Sequence, residues 1–272
     1  MKYDSTLFAT AAKYYAVSRP VYPEAIIERM VEVFQLSKRD TVLDLGCGTG
    51  EIALRLAKYV KKVLAWDPDV EMLKLAEQKA RKHHVKNVIF EQKSSDDLPS
   101  LSEKVKVVAM GRSFHWMDGE KTLAEIKKRL AGEGGVAIVY ERHGLHVYSS
   151  AFVEPNATTA RRNQTVSRVA KKYLGEERKA GKNKFRKVEK SFQEMLNKTG
   201  FLEIIEEEIT EQYRRSIENT IGFVFSTSWG SPQLFGGKVE AFKKELSEEL
   251  SKINPDGTFD EKIIFGLLAG KL

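Results

Sequence analysis

Val42-Leu43-Asp44-Leu45-Gly46-Cys47-Gly48-Thr49-Gly50 is a short apolar run broken by three glycines at alternate positions. Val42, Leu43 and Leu45 suit a buried parallel strand, and the glycines demand a turn directly after it. Glycine tolerates positive φ and lets a ligand approach the backbone closely. Past the turn, Ile52, Leu56 and Tyr59 fall at helical spacing over residues 51–60, with Ala53 and Ala57 beside them, so strand, turn and helix follow one another. The next apolar run, Val63-Leu64-Ala65-Trp66, stops at Asp67, twenty-one residues after Gly46, where a carboxylate can accept hydrogen bonds from a ribose diol. Turn and acid together point to a nucleoside-bearing cofactor.

The glycine spacing narrows that cofactor. A dinucleotide fingerprint needs G-x-G-x-x-G to bring a pyrophosphate onto a helix N-terminus, whereas this turn reads G-x-G-x-G and follows Asp44. An acid at the mouth of the turn repels a pyrophosphate but suits a group carrying an ammonium and a sulfonium. The whole stretch, with Asp67 closing the second strand, resembles the cofactor motif of class I S-adenosylmethionine-dependent methyltransferases. The resemblance implies an α/β, Rossmann-like, doubly wound and mostly parallel seven-stranded sheet. It implies S-adenosylmethionine as cofactor, bordered by Asp44, Gly46, Cys47, Gly48, Asp67 and Pro68. Cys47 reads as a small side chain tolerated in the turn rather than as a nucleophile.

Further segments extend the resemblance. Tyr15-Ala16-x-x-Arg19-Pro20-x-Tyr22-Pro23, with Phe8, Ala11 and Ala12 before it, is similar to the N-terminal signature of a small-molecule branch that includes trans-aconitate methyltransferase-like proteins. In that branch the counterparts of Tyr15 and Arg19 lie over the cofactor's amino-acid end; a guanidinium suits a carboxylate and an aromatic face suits a sulfonium. Tyr14 is a candidate for substrate contact, and packing against the sheet is the alternative for Phe8 and Tyr14.

After a third strand at 88–92, the counterparts of Ser95 and Asp96 meet the adenine edge. Capping of a short turn is the rival reading of this Ser-Asp cluster. A fourth strand, 105–110, opens into Gly111-Arg112-Ser113, expected at the cofactor, and Phe114-His115-Trp116, expected between cofactor and acceptor. His115 can either take a proton, with its ordinary pKa near ~6.5, or line the acceptor pocket. Trp229, in Ser226-Thr-Ser-Trp-Gly-Ser-Pro232, resembles another pocket segment.

With 272 residues the chain can form one α/β domain with a cap, or two small domains. Helices are expected at 23–36, 69–83 and 118–130, and a fifth strand at 136–140, giving five strands with four intervening helices. Farther on, a capping box at Ser191–Glu194 opens a helix ending at Gly200; a strand (201–215), helices from Ser216 and Val239, and a final antiparallel strand (263–269) follow. The core is assigned to 1–140 and 187–272, and 141–186 to a basic insertion that caps the substrate.

Composition excludes several classes. No run of eighteen apolar residues and no signal-peptide pattern is present, so a cytoplasmic protein without membrane contact is expected. The single cysteine rules out an internal disulfide or a multi-cysteine zinc site, and the five histidines show no ligand spacing. Net charge is +7, yet twelve Lys or Arg against four Asp or Glu fall within 151–190, leaving the remainder near neutral. That segment can be a solvated face, a rim attracting an anionic acceptor, or a nucleic-acid contact.

The reaction expected is in-line methyl transfer to a small-molecule acceptor. A nucleic-acid methyltransferase is disfavoured because the fourth-strand loop lacks an Asn/Asp-Pro-Pro-aromatic motif and no second cysteine exists. Asp44 and the glycine spacing argue against a nicotinamide oxidoreductase. A catalytically silent S-adenosylmethionine-binding module is the remaining alternative.

Overall fold

The computed structural model describes residues 10–145, 156–177, 179–180, 183–184 and 190–272. α1 (Ala12–Ser18) and α2 (Glu24–Phe34) lead into β1 (Thr41–Leu45), α3 (Ala53–Leu56), β2 (Lys62–Trp66), α4 (Val70–Lys82) and β3 (Val88–Glu91). β4 (Val105–Gly111), α5 (Gly119–Lys127) and β5 (Leu130–Arg142) follow, then α6 (Ala157–Leu174) and a small hairpin of β6 (Lys179–Ala180) and β7 (Asn183–Lys184). The chain finishes with α7 (Phe192–Lys198), β8 (Glu203–Ser216), α8 (Ile217–Phe225), α9 (Pro232–Phe235), α10 (Val239–Ile253) and β9 (Thr258–Lys271).

Seven strands make one sheet in the order β3-β2-β1-β4-β5-β9-β8. β1 to β5 are parallel, and β9 runs antiparallel to both neighbours, β5 and β8. This is the doubly wound, mostly parallel sheet expected from the sequence. Val42, Leu43 and Leu45 are fully buried because helices cover both faces. One face packs on α2 and α3 through Ile26, Met30, Phe34 and Leu56, and the other on α5 and α7 through Leu123, Ile126 and Leu196. Each such apolar side chain contributes roughly 1.5–3 kcal/mol by leaving water. The strand order reverses between β1 and β4, so the crevice outside their carboxyl ends is the place for a ligand.

Several expectations are corrected. Residues 51–60 hold regular α-helix only over Ala53–Leu56, after a turn in which Gly46, Gly48 and Gly50 all have positive φ. The third crossover is a 3-10 turn, Ser95–Ser100, rather than a helix. Ser94 and Asp97 form its capping box, and Pro99 within it removes a backbone donor. The last strand begins at Thr258 rather than 263, because β8 and β9 pair along their full length from Glu203↔Lys271 to Ser216↔Thr258.

The helical cap also differs from the expected 141–186 insertion. Val166 and Val169 of α6 share a core with Phe223 and Phe225 of α8, Phe235 of α9, and Phe242, Leu246 and Leu250 of α10. The cap is therefore assembled from two stretches, since the apolar stripe of α6 needs a partner and α10 provides it. Phe8 and the outer parts of the 141–186 insertion, residues 146–155 and 185–186, lie outside the described residues.

Candidate functional site

The glycine turn is held open by backbone geometry. Gly46 has φ +77°, and a Cβ there would come 2.4 Å from Cβ of Ser113. The amides of Gly46 and Cys47 both donate to the carbonyl of Trp66, at 2.7 and 3.0 Å, tying the turn to the end of β2. Ser113 donates its hydroxyl to the Leu45 carbonyl at 2.7 Å, so this predicted cofactor residue bonds the loop after β4 to the end of β1.

Two buried carboxylates flank the turn. Asp44 accepts from the Ala53 amide at 2.9 Å, while its Oδ1 is buried without a partner. Burial pushes its pKa up to about 7, against the Ala53 amide, with the Asp67 charge adding to the rise. Asp67 accepts from the amides of Gly48 (2.8 Å) and Asp69 (2.9 Å). Burial raises it to about 6, although both amides favour the charged form. Neither carboxylate has a cationic side chain among its hydrogen-bond donors.

A crevice opens at the β1–β4 switch. Tyr15, Asp44, Gly46, Cys47, Gly111 and Arg112, all anticipated in the sequence, line it, and Tyr22, Thr49, Glu51 and Ile52 complete its wall. Arg112 adopts a left-handed backbone (φ +55°), unusual for a bulky residue and typical of loops that aim a side chain at a site. Its guanidinium and that of Arg19 each lie 5.3 Å from the Tyr15 ring centroid. Both hold Glu141, at the end of β5, through Nη1–Oε contacts of 2.9 Å. Burial acts to raise the Glu141 pKa, but Arg112 and Arg19 outweigh it and hold it down at about 2. Glu141 was missed by sequence reasoning; a charged residue at the carboxyl end of a buried parallel strand was its only signal.

Other predicted residues stand apart from this crevice. Gly48 and Pro68 flank Asp67, with the Pro68 carbonyl accepting from Gln92 at 3.2 Å. Asp96 is exposed and pairs with Lys121 at 3.1 Å. Ser94 and Asp97 do the capping, so the cap reading holds for the cluster while Ser95 and Asp96 are not the capping side chains. Phe114 is corrected: the 3-10 turn Phe114–Trp116 directs it inward, where it meets Phe192 at 5.1 Å and joins the sheet core instead of a pocket. Trp229 is likewise buried in the cap core, and Tyr14 packs on Phe225 at 5.0 Å. His115, half-buried, stacks on Trp116 at 4.8 Å.

Five cations of the basic segment are paired with acids. Arg168 and Lys172 of α6 pair with Glu249 and Glu245 of α10, Arg162 with Glu261, Lys171 with Glu176, and Lys190 with Glu120. No group of acids, histidines and cysteine suited to a metal occurs among the described residues, and no described helix is long and apolar enough to cross a membrane.

Sheet order, glycine turn and crevice define a Rossmann-like fold of the class I methyltransferase type. Residues 42–135 match the family model of a methyltransferase domain. An uncharacterized methyltransferase of Schizosaccharomyces pombe is 34% identical over 49% of this chain and 51% of its own length. A putative methyltransferase of Dictyostelium discoideum is 25% identical over 97% of this chain and 91% of its own. The chain spans about half the length of the Schizosaccharomyces relative it matches. Among solved structures, a putative type II methyltransferase from Anaeromyxobacter dehalogenans superposes with TM-score 0.57 at 19% identity, covering 93% of this chain and 97% of that one, a likeness of fold.

Proposed function

We propose that the chain transfers the methyl group of S-adenosylmethionine to a small-molecule acceptor. The observation that carries the reading is the pairing of opposite charges in one crevice. Asp44 keeps an unpartnered buried oxygen, and Arg112 stands on the same wall. An amino-acid end, with its ammonium and carboxylate, fits that pair. Asp67, held by the Gly48 amide at the edge of the turn, is the assigned ribose partner, with Pro68 beside it; Ser95 and Asp96 are assigned to the adenine edge.

When bound, S-adenosylmethionine supplies a methyl already activated by positive sulfur. The chain's own work is then to position the acceptor and exclude water, which can supply roughly 7–11 kcal/mol at near-attack geometry. His115 is the assigned group for taking a proton from a hydroxyl acceptor. A small acceptor is supported by the cap: α8 packs against α1, whose Tyr15 lines the crevice, and Arg19 lies 4.7 Å from the Phe223 ring. An anionic acceptor drawn in by α6 finds less support, since four of its five cations, Arg162, Arg168, Lys171 and Lys172, already hold carboxylates.

The test is methyl incorporation from labelled cofactor into small acids, phenols and amines, with RNA alongside. Label in a small acceptor is expected. Label in RNA alone would overturn the acceptor class, and cofactor binding without transfer to any acceptor would favour the silent module.

A further inference from the structure

Tyr22 sits in Arg19-Pro20-Val21-Tyr22-Pro23, a segment stiffened by a proline on either side. Its side chain is 3% exposed, and its ring lies edge-on to Phe265 with centroids 6.1 Å apart. The guanidinium of Arg112 lies 4.4 Å from its ring centroid, and its backbone carbonyl accepts from Arg55. The ring is thus fixed from several sides.

Its hydroxyl, in contrast, is buried with no acceptor for its proton, and Tyr22 forms part of the crevice wall with Asp44 and Arg112. Arg112 is only a donor and cannot take the phenol's proton. The space over the hydroxyl is kept by Gly111, where a Cβ would come 2.8 Å from Tyr22 Oη and 2.5 Å from Ile52 Cδ1. Burying a donor without an acceptor is costly, and native structures tolerate it where something else supplies the partner. Burial also raises the phenol pKa, so the group keeps its proton at neutral pH. What the position offers is a fixed O–H donor beside a guanidinium, the surroundings a carboxylate seeks.

We propose that Tyr22 is a cofactor-binding residue whose hydroxyl donates to the α-carboxylate of S-adenosylmethionine alongside Arg112, while Asp44 faces the ammonium. The inference rests on the cofactor reading above and adds a residue and an atom to it.

The experiment is calorimetric binding to wild-type protein and to Tyr22→Phe of three ligands. S-adenosylhomocysteine has both amino-acid charges, decarboxylated S-adenosylmethionine lacks the carboxylate, and 5′-methylthioadenosine lacks the whole amino-acid end. Tyr22→Phe should weaken S-adenosylhomocysteine about tenfold, the worth of a hydrogen bond to a charged group, and leave the other two within about twofold. The ligand-free variant should melt no lower than wild type, since it loses only an unsatisfied hydroxyl. Equal loss for all three ligands, or no loss for any, overturns the role of Tyr22 while leaving the cofactor reading intact. Failure of wild-type protein to bind S-adenosylhomocysteine overturns the cofactor reading itself.

Discussion

Two sets of buried carboxylates divide this molecule. Asp44 and Asp67, at the glycine turn, accept from backbone amides, with Asp44 Oδ1 left unpartnered, and burial raises both pKa values, to about 7 and about 6. Glu141 and Glu261, at the joint between sheet and cap, are each clasped by two arginines. Burial opposes their ionisation too, yet the arginines win and both pKa values fall. In the arginine-paired set each carboxylate meets two guanidiniums and ties distant segments together. The amide-bonded set has no cationic side chain among its hydrogen-bond donors.

The largest effect should come from breaking the paired set. Arg162 Nη2 and Arg215 Nε contact Glu261 at 2.5 and 2.6 Å, with all three side chains fully buried. Glu261→Ala leaves two buried guanidiniums uncompensated and should cost about 3–5 kcal/mol in denaturant unfolding. A loss below about 1 kcal/mol would mean that water reaches this joint and that it is not closed.

The unpaired set should instead fail in binding. Asp67→Ala should weaken S-adenosylmethionine about tenfold or more, since a hydrogen bond to a charged group is worth roughly 1.5–3 kcal/mol. Unchanged calorimetric affinity would remove Asp67 from the ribose.

Acidity separates the two sets with opposite sign. The folded pKa values of Asp44 and Asp67 lie above the ordinary 3.8, so their contribution to stability is intact below that value and lost as pH rises through about 6 and 7. Glu141, depressed from 4.5 to about 2, contributes above 4.5 and loses that contribution as pH falls through about 2. Ligand-free protein should therefore melt lower at pH 8 than at pH 5.5, and Asp44→Asn should flatten that slope. A cationic ligand should release protons on binding near pH 6.5, read as a dependence of calorimetric heat on buffer ionisation enthalpy. Proton uptake there would contradict the assignment of positive charge to the crevice.

Salt should produce the smallest effect. With four of the five α6 cations, all but Arg161, held by Glu245, Glu249, Glu261 and Glu176, turnover should change by less than about twofold between 50 and 300 mM salt. A steep decline would restore anion steering by the basic segment.

What could be read without coordinates was local. Val42–Leu45, the glycine turn and Asp67 were legible because strand burial, positive φ and a fixed chain distance all act within a few dozen residues. The same locality made the Ser191 capping box and the helix Val239–Ile253 visible. Phe114 misled for the same reason: an aromatic beside a histidine looks like pocket lining until the 3-10 turn sends it toward Phe192.

The sequence by itself determined the strand-turn-helix unit, the acids that flank it and hence the kind of cofactor, because hydrophobic period and backbone conformation are properties of neighbouring residues. Only the tertiary structure decided that β9 inserts between β5 and β8, that α6 shares a core with α10, and that Arg19 and Arg112 converge on Glu141. Arg19 and Glu141 are 122 positions apart. No local period records such a pair; burial creates it by removing the water that would otherwise solvate each charge alone.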